Sequence, residues 1–154
     1  VVAACQARGL NLHFLVAGEG ELFESSKARA VEEKLPVTFL GWRSDIDQLF
    51  AASDIAILTS DNEGIPLTLI QGAQAGLPIV ATAVGSISDI VEDAKTGFLT
   101  APTASAMAAR VIELAADTQI RNQLGAAGRE RAHTYFSLER MLRDHTEIYH
   151  LAHR

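Results

Sequence analysis

The residues best suited to chemistry lie in a polar loop and at the start of the helix that follows it. The loop spans residues 61–64 and contains Glu63, and the segment PLTLIQGAQA follows it. Backbone amides at the start of such a helix, here those of Leu67 and Thr68, carry a partial positive charge that suits a phosphate or diphosphate. An acid beside that anion is unfavourable unless it accepts hydrogen bonds from hydroxyl groups, and sugar hydroxyls are natural donors. The pattern therefore indicates a site for a phosphorylated sugar.

The helix carries its own boundary signals. Pro66 suits the first helical position, because the N–H that proline lacks has no partner there in any helix. Gly76 suits the C-terminal cap, and the next strand begins just after it. Gln71 lies one helical turn beyond Leu67, and Ser60 ends the strand before the loop.

Five apolar segments, separated by helical stretches, must position these loops. Strands are predicted at residues 12–18, 37–41, 54–60, 78–82 and 97–100. Helices are predicted over residues 21–34, from Ser44, over 66–75 and from 103 onward, where Asp117 caps one helix and the last begins at Ser137. Nearly all-apolar strands between helices indicate a parallel sheet that is covered on both faces. We predict an α/β fold in one domain, residues 1–154, with a Rossmann-like parallel sheet sandwiched by helices and a helical C-terminal extension.

Ligands bind such sheets outside the carboxyl ends of the strands, so the loops at 18–22, 41–44, 60–66 and 82–88 are the candidates. Gly18 and Gly20 do not complete a dinucleotide fingerprint, because Phe23 stands where its third glycine belongs. Trp42 is suited to stacking on a nucleobase, and Arg43 to approaching a phosphate. The alternative for Trp42 is simple packing at the surface of a helix-entry loop.

Composition excludes several classes of protein. The chain has 154 residues, with 13 Lys and Arg against 19 Asp and Glu, giving a net charge of −6. A nucleic-acid partner is disfavoured because such proteins carry a basic footprint. The one cysteine, Cys5, excludes an internal disulfide and a Cys-rich zinc site. The C-terminal histidines lack the i, i+4 zinc spacing, so no metal is expected; they are His133, His145, His150 and His153.

The stretch SDNEGIPLTLIQGAQAGLPIVATAVGSISDIV resembles the signature of the group 1 (family 4) glycosyltransferases of GT-B fold. LHFLVAGEGEL and VTFLGWRSDIDQLFAASDIAILTS resemble the family's upstream motifs, and VEDAKTGFLTAPTASAMAARVIELAAD its downstream one. These motifs occur in the family's order over essentially the whole chain. The chain is thereby identified as resembling the C-terminal domain, which binds the donor nucleotide sugar.

The resemblance implies roles for particular residues. Glu63 matches the first of two family glutamates and would contact the donor sugar as the catalytic residue. Gln71 stands where the second glutamate usually holds the nucleotide ribose, and an amide there loses the charge that strengthens such hydrogen bonds. The alternative for Gln71 is a partly buried amide bonded to the facing loop. The other implied donor-binding residues are Gly18, Gly20, Gly41, Trp42, Arg43, Ser60, Gly64, Ile65, Pro66, Leu67 and Thr68.

The resemblance also implies the reaction and its setting. A complete enzyme would transfer a sugar from a nucleoside diphosphate, with retention of configuration, to a saccharide or lipid-linked acceptor, and without a cofactor or an obligatory metal. It would act in the cytoplasm in polysaccharide biosynthesis, and peripheral attachment to the inner face of the membrane is compatible with it.

Two departures from the family pattern affect this chain. No segment of these 154 residues resembles the family's first donor-domain strand, with its Gly-Arg and lysine, or its acceptor-binding N-terminal domain. We therefore expect little activity from the chain alone, and an exposed apolar sheet edge that allows a homodimer. The alternatives are a non-catalytic fragment that binds nucleotide or self-associates, and part of a GT-B sugar-nucleotide epimerase.

Overall fold

Five strands alternate with helices in the computed structural model, which describes residues 1–152. His153 of the predicted histidine cluster lies outside these residues. The elements are α1 (Val2–Gln6), β1 (Phe14–Ala17), α2 (Phe23–Glu32), β2 (Val37–Gly41), α3 (Ile46–Ala51), β3 (Ala56–Leu58), α4 (Leu67–Gln74), β4 (Ile79–Thr82), α5 (Ile87–Ile90), β5 (Gly97–Thr100), α6 (Ala104–Ala116), α7 (Thr118–Tyr135) and α8 (Leu138–Ala152).

All strand pairs are parallel, which confirms the predicted α/β class. β1 pairs with β2, with Phe14 opposite Val37. β4 pairs with β3 and with β5, so that Ile79 lies between Ala56 and Gly97. Within residues 1–152, no ladder joins β1 to β3, and the strands form a two-stranded and a three-stranded sheet. Helices α6 to α8 form the predicted C-terminal extension.

Strand β4 is the centre of the core because both of its faces are covered. Successive side chains of a strand point to opposite faces. Ile79 belongs to the cluster that contains Leu69 of α4. Val80 belongs to the cluster on the other face, with Met107 and Leu114 of α6. The continuous apolar run at this strand is therefore explained by burial on two sides.

Strand β1 differs from its predicted burial. The segment 12–18 was expected to be a buried strand, but Leu15 and Val16 are 43% and 37% exposed. β1 has a hydrogen-bonded partner on one edge only, since β2 is its sole neighbour among the described strands. The apolar residues of β1 correctly indicate a strand in a sheet, but their side chains would be buried only if a further element packed next to β1.

Helix ends show where local signals hold. Asp117 is a cap as predicted, since it accepts hydrogen bonds from the amides of Gln119 and Ile120. The last helix begins after Ser137, whose hydroxyl accepts a hydrogen bond from the Arg140 amide. Ser44 is not a cap, because α3 begins after Asp45 and its N-cap forms no side-chain hydrogen bond.

The prediction for Pro66 is wrong by one position. Its ψ of 109° is extended, so it is the N-cap and Leu67 is the first helical residue. Gly76 follows the helix with a φ of +84°, as a glycine at this end allows. Its amide bonds the Ala73 carbonyl at 2.8 Å, and the next amide bonds the Gly72 carbonyl at 3.1 Å. This is a Schellman ending.

Helix α7 packs on that ending through a glycine. A Cβ at position 125 would lie 2.0 Å from the Gly76 carbonyl oxygen. Gly128, one turn further along the same helix, has room for a methyl group, since the nearest atom would be 3.4 Å away. Gly125 therefore sets how closely α7 approaches the end of α4.

Substitution of these two helical glycines should have opposite effects on stability. Gly125→Ala forces the two backbones apart and should lower the free energy of unfolding by about 2 kcal/mol or more. Gly128→Ala removes a flexible helical residue and should leave stability unchanged or raise it by up to about 1 kcal/mol. Urea unfolding followed by circular dichroism measures both. Equal effects of the two variants would contradict the close contact.

Candidate functional site

Glu63 is held in place by a short chain of hydrogen bonds that starts in the core. The Thr82 hydroxyl, at the end of β4, donates to the Ser60 carbonyl oxygen at 2.5 Å. The Ser60 hydroxyl donates to Glu63 Oε1 at 2.6 Å. Thr82 is 1% exposed, whereas Glu63 is half-buried at the surface. The carboxylate is therefore oriented, and Oε2 has no hydrogen-bond partner in the described part of the chain.

The start of α4, which follows the Glu63 loop in the sequence, presents free backbone donors. Its N-cap Pro66 forms no side-chain hydrogen bond, and the amides of Leu67 and Thr68 have no acceptor within residues 1–152. Pro66 is buried, whereas Ile65 and Leu67 are 57% and 70% exposed. The surface therefore combines unpaired amides with apolar side chains, and a phosphate with an attached organic group matches both.

The loops after β1 and β2 are joined to each other. The Gly18 amide donates to the Gly41 carbonyl at 2.7 Å, and the Trp42 amide donates to Glu19 Oε1 at 3.2 Å. Gly18 and Gly41 have φ values of +121° and +64°, which favour glycine at both turns. Gly20 and Gly64 lie in open space. Trp42 is 70% exposed, so its ring is at the surface.

Arg43 is already paired. Its guanidinium donates to both carboxylate oxygens of Asp45, at 2.8 and 2.6 Å. This hydrogen bond raises the pKa of Arg43 above its ordinary value and lowers the pKa of the Asp45 carboxyl. A phosphate that approaches Arg43 must therefore compete with an internal carboxylate.

Gln71 lies on the side of α4 that faces α3. It is exposed and forms no side-chain hydrogen bond with the described residues. The alternative of a partly buried amide bonded to the facing loop is therefore wrong. The groove between the two helices has a volume of about 360 Å³. Its lining residues are Ile46, Asp47, Phe50, Gln71, Gln74 and Ala75.

Sequence reasoning missed Thr82. Its signal is a polar side chain at the last position of an otherwise apolar strand, directly before a loop. Ser60, which is predicted to bind the donor, donates its hydroxyl to Glu63 in this structure. Its binding to a donor stays a prediction.

Two further features bear on chemistry and location. Over residues 1–152, no three His, Cys, Asp or Glu side chains are grouped as a metal ion would require. In the same residues, no helix combines the length and the apolar character needed to cross a bilayer.

Comparison with known proteins agrees with this arrangement. The sequence model of the family described as Glycosyl transferases group 1 matches residues 1–131. The chain therefore belongs to the group 1 glycosyltransferase family.

Individual relatives agree in sequence and in fold. N-acetyl-alpha-D-glucosaminyl L-malate synthase of Bacillus anthracis is 28% identical over 141 residues, which cover 88% of this chain and 36% of the relative. A glycosyltransferase from Rickettsia africae ESF-5 superposes with a TM-score of 0.87 at 26% identity, over 96% of this chain and 42% of that one. Anabaena Alr3699/HepE, crystallised with UDP-glucose, gives 0.86 at 25% identity, over 96% and 43%.

The parallel α/β arrangement thus matches glycosyltransferases of GT-B fold. The chain spans less than half the length of each of these three relatives.

The hydrogen bond from the Thr82 hydroxyl to the Ser60 carbonyl should contribute measurably to the free energy of unfolding. Thr82→Val keeps the shape of the side chain but leaves the Ser60 carbonyl without its donor, which should lower the free energy of unfolding by about 1–3 kcal/mol. Thr59→Val is the matched control, because Thr59 is exposed and its hydroxyl has no partner in the described chain. Its effect should be within about 0.5 kcal/mol of zero. If both variants match the wild type in urea unfolding, the bond does not anchor the loop.

Proposed function

We propose that this chain is the C-terminal, donor-binding domain of a group 1 (family 4) glycosyltransferase. The donor, a nucleoside-diphosphate sugar, binds where β3 and β4 end. The observation that carries this proposal is the Glu63 carboxylate, which Ser60 orients in the loop that leads directly to the free amides of α4. One group suits sugar hydroxyls and the other suits phosphate, and the family match supports both assignments.

Each group has a distinct task in this proposal. Glu63 Oε2 accepts hydrogen bonds from the donor sugar and fixes its orientation. The amides of Leu67 and Thr68 donate to the diphosphate and stabilise the negative charge that grows on it as the sugar leaves. Trp42 and Gln71 are the candidates for the base and the ribose. No cofactor or obligatory metal takes part, since the backbone amides supply the positive potential.

The full reaction requires groups from elsewhere. The chain spans 36–43% of its three relatives, which supports a separate acceptor-binding domain N-terminal to it. Transfer to a saccharide or lipid-linked acceptor, with retention of configuration, takes place between the two domains. We place the enzyme in the cytoplasm, where a buried free thiol such as Cys5 stays reduced. The isolated chain binds donor but transfers little sugar.

A sixth strand completes the sheet in this proposal. Doubly wound sheets commonly have the strand order 3-2-1-4-5-6. The observed ladders β2-β1 and β3-β4-β5 match that order without its first strand. An extended segment from the rest of the enzyme therefore pairs between β1 and β3, next to the exposed Leu15 and Val16. In the isolated chain, a second copy takes its place.

A non-catalytic fragment is the second candidate. The neutral, exposed Gln71 and the internal pairing of Arg43 both weaken the expected grip on a nucleotide. This candidate predicts the same fold with no ligand preference.

Titration with nucleotides decides between the two candidates. The chain is titrated with UDP, GDP and ADP and with UDP-glucose, while backbone amide shifts are followed by NMR. Shifts should centre on residues 63–71 for one base, with a millimolar Kd, equivalent to about 4 kcal/mol. Glu63→Ala should weaken binding of the nucleotide sugar severalfold.

Asp61→Ala is the matched control, because Asp61 is an exposed acid in the same loop with no hydrogen-bonded partner in the described chain. It should bind as the wild type does. A folded wild-type chain that shows no shifts at 63–71 near 10 mM of every ligand would overturn donor binding and favour the fragment.

Self-association tests the open sheet edge. Sedimentation equilibrium should show a mass that rises with concentration toward a dimer. Val16→Lys should weaken this association, because a lysine on an edge strand opposes pairing. Val31→Lys on α2 is the control, since Val31 is 75% exposed and lies outside the edge. A monomer at every concentration, or equal effects of both lysines, would contradict dimerisation through β1.

A further inference from the structure

Gly85, in the turn after β4, touches the backbone of Glu63. A Cβ built at position 85 would lie 1.8 Å from the Glu63 carbonyl oxygen and 2.9 Å from its carbonyl carbon. The φ of Gly85 is +53°, a region that side chains other than glycine's disfavour. No L-residue with a side chain fits there unless the Glu63 backbone moves.

The turn that carries Gly85 is fixed to the rest of the fold. The Ala83 amide donates to the Thr100 carbonyl of β5 at 2.9 Å, and the Val84 amide donates to the Thr82 carbonyl at 3.0 Å. The helix that follows, α5, ends against Arg131 of α7, which donates to the carbonyls of Asp89 and Ile90. The turn is therefore bonded directly to β5, and the short helix that follows it is bonded to α7.

Two contacts therefore hold Glu63, one at its carboxylate and one at its backbone. Its carboxylate is reached from Thr82 through Ser60, and its backbone lies on Gly85. The hydrogen bonds set the direction of the Glu63 side chain. The contact with Gly85 sets how close the Glu63 backbone lies to the β4–α5 turn. Contact at van der Waals distance with an added methyl group would require a movement of more than about 1 Å. A displacement of that size is enough to disturb a binding geometry severely.

We propose that Gly85 is a positioning residue for donor binding. Because Gly85 has no side chain, the Glu63 backbone can lie against the β4–α5 turn, and this places the carboxylate where it meets the donor sugar. The inference rests on the proposed function, since it assigns the Glu63 carboxylate to the sugar. It assigns to Gly85 no contact with the ligand itself. The effect of Gly85 therefore passes entirely through Glu63.

The test compares two glycine substitutions in the 154-residue chain, with UDP and UDP-glucose as probes. Gly85→Ala should weaken UDP-glucose binding at least about fivefold and change UDP binding less than about twofold, because only the sugar meets Glu63. Gly9→Ala is the control: Gly9 also has a positive φ, +73°, but its Cβ would meet nothing within 4 Å. It should bind both ligands as the wild type does.

A coupling measurement separates positioning from general damage to the fold. In the Glu63→Ala background, Gly85→Ala should have no further effect on UDP-glucose binding. Equal loss of UDP and UDP-glucose, or a loss that persists without the Glu63 carboxylate, would overturn the proposal. So would unchanged UDP-glucose binding by Gly85→Ala.

A contact measurement on the wild type does not depend on the folding of the variant. The Gly85 α protons and the Glu63 amide proton should give a nuclear Overhauser effect, and its absence would overturn the proposal. Failure of the proposed function looks different: the wild type then binds neither UDP nor UDP-glucose, while this contact is still observed.

Discussion

The hydrogen bond from Thr82 to the Ser60 carbonyl joins the core to the candidate site. Thr82 ends β4, whose residues are all buried and whose two faces are packed against helices. Because β4 is packed on both faces, its last residue, Thr82, has a defined position. Thr82 fixes Ser60 through one hydrogen bond, and Ser60 fixes the Glu63 carboxylate through a second. The orientation of the half-buried Glu63 carboxylate therefore depends on packing within the core.

The two sheets have different parts in this arrangement. The three-stranded sheet carries the oriented carboxylate and the free amides of α4, and it holds the best-packed residues of the chain. The two-stranded sheet contributes the linked loops of Gly18 and Gly41 but leaves β1 half exposed. Donor binding between them would bring the two sheets' loops together around one ligand.

The sequence predicts some features better than others, for physical reasons. The strand–helix alternation, the cap at Asp117 and the glycine after α4 are local, so a short stretch of residues specifies them. The burial of β1 was predicted wrongly because it depends on a neighbouring strand. The contacts of Thr82 with Ser60 and of Gly85 with Glu63 each join residues that are 22 positions apart in the sequence, and no local spacing pattern reveals such pairs. The ligand roles of the site residues stay predictions.

A crystal structure of the chain with UDP-glucose would test donor binding at Glu63 most directly. We expect the glucose to lie within hydrogen-bond distance of Glu63 Oε2, about 2.5–3.2 Å, with the diphosphate against the amides of Leu67 and Thr68. A ligand that occupies the groove between α3 and α4 with its sugar away from Glu63 would contradict this assignment.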